Sequence, residues 1–229
     1  MRHTLIAAVI ASGLITSGLV ATQQPAHAEP QRATATCTFP VPAKLVLRRP
    51  TEYVAFPLGG TCPKTMVSAG WRAVRDDGTS KLTVGCPWSN CGVDIELTPL
   101  GGTTHWTPVG YGEDAKGRKV ADLLPAVSVT RAASVAQLAG ARHGTKTTLT
   151  ASSSYYSPSR RTYLRSHSRM LVQYKDPGTT TTWKSLAYVT PSSSGVATYT
   201  LSTNRSRGYR VYVPSTSSVW YTYSPAITR

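Results

Sequence analysis

Residues 169–175 have the sequence RMLVQYK, and residues 209–213 have the sequence YRVYV. Apolar side chains in these runs recur with a period of two, the spacing of a strand with one buried face. Turn-forming residues separate the runs from their neighbours, most clearly Asp176-Pro177-Gly178 and residues 191–195. Short strands at roughly ten-residue spacing predict an antiparallel β-sandwich. The other predicted strands of this half are 145–149, 183–190, 195–201 and 219–222.

The first half of the chain has the same pattern and is also predicted to be β. Turns are expected at Asp76-Asp77-Gly78 and Gly101-Gly102. One stretch, residues 132–141, is compatible with a short helix or with the first strand of the second half. The predicted strands of the first half are 44–48, 66–75, 81–84 and 93–97.

The composition changes sharply near residue 127. Residues 29–127 contain 11 Lys and Arg against nine Asp and Glu, whereas residues 128–229 contain 13 against the single acid Asp176. Ten of the 12 tyrosines also lie after the boundary. We therefore predict two domains, 29–127 and 128–229, with net charges of +2 and +12 and different surfaces.

The N-terminus has the features of a signal peptide. Arg2 precedes a mostly apolar segment from Leu5 to Val20, and Ala26-His27-Ala28 supplies small residues for cleavage. Cleavage after Ala28 predicts a secreted chain with residues 1–28 removed. No later segment is long and apolar enough to predict a membrane span.

Four cysteines, Cys37, Cys62, Cys86 and Cys91, lie in the first half. An even number in an exported chain favours two disulfide bonds over free thiols. Three connectivities are open, and the preferred one joins Cys37 to Cys62 and Cys86 to Cys91, because the second pair closes a short loop around Trp88. The alternative is a metal site at Cys86 and Cys91, which lacks nearby partner ligands.

Further motifs follow the two quoted runs: Trp183-Lys184, Ser194-Gly195, Ala197-Thr198-Tyr199 and Ser224-Pro225-Ala226-Ile227. Together they resemble immunoglobulin-like repeats of exported actinobacterial proteins. The resemblance covers residues 128–229 and implies an immunoglobulin-like sandwich, with Trp183 in its core and Gly195 in a hairpin. Residues 69–72 resemble such domains more faintly, so the expected architecture is two tandem immunoglobulin-like sandwiches. Packing motifs of this kind say little about activity.

The sequence has no motif for a zinc hydrolase, a serine hydrolase, a nucleotide or a dinucleotide. His105, His143 and His167 lie far apart, although a triad of His105, a serine and Asp114 or Asp122 is an open alternative. We predict a protein without catalysis and without a cofactor. The carboxylates of Asp94, Glu96 and the other acids of the first half leave calcium binding as a second open alternative.

Clustered arginines and tyrosines in the second half are the strongest functional signal. A field of this sign attracts polyanions, so we predict an acidic cell-wall polymer as the partner, with nucleic acid bound only non-specifically. The alternative is a secreted protein-interaction factor, such as an enzyme inhibitor or a subunit of a secreted complex, with Trp88 as its anchor. The predicted binding residues are Arg160, Arg161, Arg165, Arg169, Arg205, Arg207, Arg210, Tyr155, Tyr156, Tyr163 and Tyr212, with Tyr209, Tyr221 and Tyr223 as further interleaved tyrosines.

Overall fold

Every regular element of the described residues is a strand, which confirms the all-β prediction. The computed structural model describes residues 35–57, 61–78, 81–85, 90–95, 102–178 and 182–229. Of residues 56–57, 81–84 and 90–95, only the backbone is described. No helix capable of spanning a bilayer occurs within these ranges.

In the described part of the first region, eleven strands form three sheets. Sheet A has the order β1-β10-β9-β4, sheet B the order β2-β11-β8-β5-β6, and sheet C pairs β3 with β7. In chain order these strands are β1 Ala35–Thr38, β2 Lys44–Leu47, β3 Glu52–Pro57, β4 Met66–Ser68, β5 Gly70–Arg75, β6 Lys81–Gly85, β7 Asn90–Ile95, β8 Thr103–Pro108, β9 Gly112–Asp114, β10 Lys119–Leu124 and β11 Ala126–Ala132.

Aromatic side chains fill the core between sheets A and B. Alternate residues of β5 point inward, and Trp71 is fully buried. Phe39 stacks on Trp71 at 4.6 Å and contacts Trp106 at 4.9 Å between ring centroids. Both indole N–H groups are satisfied, Trp71 donating to the Leu124 carbonyl and Trp106 to the Ser128 hydroxyl. The predicted disulfide between Cys37 and Cys62 is confirmed and lies beside this core.

In the second region, residues 134–178 and 182–229 contain nine strands, in two sheets that share a second core. Sheet D has the order β12-β13-β14 with β17 also paired to β13, and sheet E has the order β16-β15-β18-β19 with β20 also paired to β18. These strands are β12 Ser134–His143, β13 Lys146–Ser157, β14 Thr162–Arg165, β15 Met170–Lys175, β16 Lys184–Val189, β17 Val196–Ser202, β18 Gly208–Val213, β19 Thr222–Tyr223 and β20 Ile227–Thr228.

The second core contains side chains from both sheets D and E, including Leu149, Met170 and Val211. Gly195 has a φ of 76° and its N–H bonds to the Ser192 carbonyl, which confirms the predicted turn before β17. Trp183 does not belong to this core, contrary to the expectation from the resemblance. The immunoglobulin-like topology of the two halves stays a prediction.

Residues 132–141 are extended rather than helical. The sequence left both options open, and β12 runs from Ser134 to His143. Ala136 and Leu138 alternate toward the second core, and Gly140 lets the C-terminal segment approach closely. A Cβ at Gly140 would lie 2.9 Å from Ile227 Cδ1. Contacts between distant segments therefore decide the conformation of this stretch.

The predicted domain boundary after Val127 falls inside β11, which pairs with β2 and β8 of sheet B. The two regions are also joined by hydrogen bonds: Trp220 N donates to the Ala132 carbonyl, and its indole Nε1 donates to the Leu45 carbonyl at 2.7 Å. Tyr156 of β13 packs into the first core. Residues near 220 therefore lie against sheet B although they connect β18 to β19 of sheet E.

Candidate ligand-binding face

The outer face of sheet E carries polar and aromatic side chains. Residues of β18 alternate between buried and half-buried, so Arg210 and Tyr212 point away from the core. Their cross-strand partners on β15 are Gln173 and Leu171, which share this face. Tyr188, opposite Leu171 on β16, lies there as well and is 57% exposed.

Arg210 is held between two aromatic rings. Its guanidinium carbon lies 4.3 Å from the ring centroid of Trp183 and 4.1 Å from that of Tyr223. Its Nε donates to the Gln173 side-chain oxygen at 2.8 Å. Desolvation beside the rings lowers the pKa of Arg210, although an arginine stays charged at any physiological pH. The side chain is thus fixed in orientation and still positive.

The same alternation of rings and cations continues toward sheet B. Tyr223 contacts Tyr212 at 5.0 Å and Tyr221 at 6.0 Å between centroids. Lys44 Nζ of β2 then lies 4.0 Å from the centroid of Tyr221 and 4.7 Å from that of Trp220.

Arg131 of β11 completes the series, 4.4 Å above the Trp220 ring. Lys175 adds a further cation at the opposite end, 5.1 Å from the Trp183 centroid. We name the connected set the aromatic–cationic row, and it consists of Trp183, Arg210, Tyr223, Tyr212, Tyr221, Lys44, Trp220 and Arg131.

The cations of the row keep their charge. None of the salt bridges within the described residues includes Lys44, Arg131 or Arg210 of the row, or Lys175 next to it. The single acid of the second half, Asp176, pairs with Arg207 at 2.8 Å and with Lys184 at 3.8 Å. The row is therefore a strip of positive charge with aromatic surface between the charges.

This arrangement suits a ligand that carries anionic groups and also has apolar faces that can pack on the rings of the protein. A guanidinium stacked between two rings still presents its in-plane N–H groups, which match the geometry of carboxylate and phosphate oxygens. Tyr and Trp rings offer flat faces with a polar edge. Tyr221 and Tyr223 are exposed by 46% and 43%, so a ligand can reach them.

The structure divides the predicted arginines among several places. Arg210 is in the row, and Arg169 stacks on Tyr188 of the same sheet at 4.4 Å. Arg207 is neutralised by Asp176. The other four lie elsewhere: Arg160 and Arg161 in the turn before β14, Arg165 at the end of β14, and Arg205 in the exposed loop before β18.

Two of the predicted tyrosines are core residues. Tyr156 is 2% exposed and Tyr209 is fully buried, so neither can contact a surface ligand, because each occupies an inward position of its strand. Tyr163 is 40% exposed and contacts Tyr156 edge to face at 5.6 Å. Tyr155 is half-buried. Only Tyr212 of the four predicted binding tyrosines belongs to the row.

The histidine and carboxylates considered for a triad have other partners. His105 Nε2 contacts Asp76 Oδ1 at 2.8 Å, and this hydrogen bond lowers the pKa of Asp76. Asp114 pairs with Arg118, and Asp122 with Lys119.

Two other open alternatives concern metal binding by carboxylates and the state of Cys86 and Cys91. Within the part of the chain that the structure describes, no three His, Cys, Asp or Glu residues are grouped as metal ligands. Glu96, Cys86 and Trp88 lie outside the described residues, and so do the Cys86–Cys91 pairing and the predicted Trp88 loop.

Sequence reasoning missed Lys44, Arg131, Trp183 and Trp220 as members of the site. The period of two in residues 209–213 already put Arg210 and Tyr212 on one face. Lys44 lies in the near-neutral first half, where the local charge balance gave no signal, and Arg131 lies just past the boundary, away from the arginine clusters of the second half. Only the docking of Trp220 against sheet B brings them to the row.

No protein-family model and no curated protein matches this chain. A solved structure described as that of a "putative carbohydrate binding protein" from Bacteroides uniformis is similar over 81% of this chain and 96% of its own, with 9% sequence identity and a TM-score of 0.25. At that TM-score the likeness supports neither a fold family nor a ligand. The structure itself shows an all-β protein with several sheets, a Cys37–Cys62 disulfide and an aromatic–cationic face.

Proposed function

We propose that this chain is a secreted, non-catalytic binding protein whose aromatic–cationic row holds an acidic cell-wall polymer. One observation carries the proposal: Lys44, Arg131 and Arg210 lie on exposed or half-buried rings and take part in no salt bridge of the described residues. Phosphate or carboxylate groups of the polymer pair with the cations, and its sugar or polyol units pack on the rings.

A polymer suits the row better than a small ligand does. The row runs from Trp183, which precedes β16, to Arg131 of β11. It offers several separate cations, so successive anionic units can bind to it at once. Each exposed charge contact is weak, about 0.2–1 kcal/mol, but contacts along one chain add because the later ones are intramolecular. Binding of this kind is lost as salt rises, because exposed charges are screened.

The test is retention of the mature protein on purified Gram-positive cell walls, with and without their teichoic acid. The row variant replaces three cations, Lys44→Gln, Arg131→Gln and Arg210→Gln. A matched control removes the same charge from exposed loops, through Arg160→Gln, Arg161→Gln and Arg205→Gln. Three lost contacts of about 0.5 kcal/mol each should weaken retention by about tenfold in the row variant. We expect a change below about threefold in the control, where only the net charge falls.

Retention of the wild type should also disappear when teichoic acid is removed from the walls. Equal losses in the two variants would show that net charge alone attracts the protein. Retention that does not depend on the polymer would contradict the proposal, because the remaining wall material would then hold the protein. No retention of the wild type at low salt would favour the alternative partner, a secreted protein. Denaturant unfolding of both variants checks that the substitutions leave the fold intact.

A further inference from the structure

A cleft lined mainly by hydroxyl side chains, unlike the aromatic–cationic row, lies at one end of the second region. It has a volume of about 410 Å³ and is formed by the start of β12, the ends of β13 and β14, the 166–168 segment and the 213–219 segment. Arg165, His167 and Tyr155 line it, together with a group of hydroxyl side chains. The hydroxyl group consists of Ser134, Ser154, Ser166, Ser168, Thr216 and Ser218.

Arg165 is fixed at the wall of this cleft. It lies directly opposite Ser154 in the β13–β14 pair, and its Nη1 donates to the Ser194 carbonyl at 2.8 Å. Its aliphatic stem packs against Gly195, where an added Cβ would come within 3.1 Å of Arg165 Cδ. A second cavity, of about 280 Å³, is also lined by Arg165 and Ser154. Arg165 therefore contributes to the walls of two open spaces.

Some hydroxyls of the cleft are already used, and others are free to bind. Ser134 Oγ donates to the Trp220 carbonyl at 2.6 Å, and Thr216 Oγ1 accepts from the Val219 N–H. The hydroxyls of Ser154, Ser168 and Ser218 make no hydrogen bond to any described residue. Each is a donor and an acceptor, as a ligand hydroxyl requires.

We propose that this cleft is a second binding site, which takes one small anionic polyol: a phosphate or carboxylate carried on a hydroxylated chain or ring. The oxyanion pairs with Arg165, whose planar fork suits two oxygens, and the serine hydroxyls bond to the polyol. No Asp or Glu lines the cleft, so nothing there repels an anion. Its volume lies within the range of about 300–1,000 Å³ typical of small-molecule sites.

The cleft and the row share one loop but use different polar residues. The loop between β18 and β19 lines the cleft with Ser218 and Val219, and its next residues, Trp220 and Tyr221, belong to the row. Substitutions can therefore separate the two sites, because Arg165 belongs only to the cleft and Arg210 only to the row.

The probe is glycerol 3-phosphate, titrated into the mature protein and followed by calorimetry or by NMR shifts. One charged fork and a few hydroxyls predict a Kd on the order of 1 mM. Arg165→Gln should weaken binding at least about tenfold, and Ser154→Ala about threefold. The nearby control Arg160→Gln and the row variant should keep the wild-type affinity. Inorganic phosphate and glucuronate test the oxyanion, and glycerol tests the polyol without charge.

We expect glycerol 3-phosphate to bind more tightly than inorganic phosphate, glucuronate to compete for the site, and glycerol alone not to saturate. Wild-type affinity in Arg165→Gln, or equal affinity for glycerol and glycerol 3-phosphate, would overturn the proposal. Equal affinity for inorganic phosphate would overturn its polyol part. Wall retention of Arg165→Gln, measured separately, should match the wild type, so that failure of this site and failure of the row are distinguishable.

Discussion

The first region of the molecule holds many of its cations with carboxylates, whereas the row holds its cations with rings. Arg118 pairs with Asp114, and Lys119 pairs with Asp122 at 2.6 Å. Arg210, by contrast, lies between Trp183 and Tyr223. A carboxylate positions a cation and also cancels its charge, but the face of a ring positions the cation and leaves the charge in place. Surfaces of the second kind remain able to bind an anion.

The distribution of acids explains this contrast. Nine Asp and Glu accompany 11 bases in residues 29–127, but only Asp176 accompanies 13 bases afterwards. Tyrosines replace the missing acids as neighbours of the bases. Lys44 is the exception, since it belongs to residues 29–127 yet stacks on Trp220; Arg131 lies just past residue 127, in a strand of sheet B, and stacks on the same ring.

Loss of the disulfide should produce the largest change, and it should be confined to stability. Cys37→Ser with Cys62→Ser opens a loop with a sequence separation of 25 residues. The chain-entropy model gives a loss in the free energy of unfolding of about 3 kcal/mol. Denaturant unfolding measures the loss. Wall retention of the folded variant should be unchanged, and its loss would mean that the row depends on the first core more than we infer.

Replacement of Trp220 should affect both stability and binding. Trp220→Ala removes the ring under Lys44 and Arg131 and the hydrogen bond to the Leu45 carbonyl. We expect a loss of about 2 kcal/mol in unfolding free energy, less than for a fully buried Trp. Trp220→Phe keeps a ring and should lose about 1 kcal/mol, the hydrogen-bond part.

Polymer binding by the two Trp220 variants sharpens the contrast between rings and carboxylates. Trp220→Ala should weaken retention although no charge is removed, because Arg131 loses the ring on which it stacks and Lys44 loses one of its two rings. Trp220→Phe should retain most of the binding. If Trp220→Ala binds as the wild type does, rings are not what makes these cations effective.

The stability contributed by a cation that is paired with a carboxylate should depend on pH. Hydrogen bonds from Arg118 lower the pKa of Asp114 from 3.8 to about 2. A lowered pKa in the folded state adds stability that is present above pH 3.8 and is lost as the pH falls toward 2. Asp114→Asn should therefore be less stable than the wild type at neutral pH, and the gap should close in acid. Denaturant midpoints between pH 2 and pH 7 provide the measurement, and a gap that is constant with pH would contradict this account.

The smallest effect is expected for cations that already have carboxylate partners. Arg48 and Arg49 both contact Glu52 and lie on the exposed side of the first region. Arg48→Gln leaves Arg49 paired with Glu52 and should change wall retention by less than about twofold, since charges that share a carboxylate contribute little to the external field. A loss as large as that of the row variant would show that the row has no special role.

The strands were the part of the fold that the sequence could predict. Period-two runs such as residues 209–213 gave β18 and its exposed face, and the turn at Gly195 followed from local turn chemistry. The expected hairpin at Gly195 was wrong, because the flanking strands β16 and β17 pair in different sheets. β12 was ambiguous, because its extended form depends on pairing with β13 and on contact with Ile227, which is distant in sequence. The predicted domain boundary at residue 127 stays a prediction: the charge composition changes there, and β11 runs across it from Ala126 to Ala132.

The candidate site was predictable only in part. Arg210 and Tyr212 emerge from strand alternation, and Arg169 from the run that follows His167. The core positions of Tyr156 and Tyr209 were missed, because Tyr is amphipathic and a favoured strand residue on either face. Lys44 joins Tyr221 only through tertiary docking across 177 residues of sequence, which no local pattern encodes.

The salt dependence of binding to soluble teichoic acid tests the central claim, that stacked and unpaired cations carry the interaction. Calorimetric affinities of the wild type, the row variant and the loop control would be measured over a salt series. Each lost ion contact should flatten the plot of log affinity against log salt by somewhat less than one unit, so we predict a slope shallower by about two to three units in the row variant. The control should keep nearly the wild-type slope. Equal slopes in the wild type and the row variant would contradict the claim.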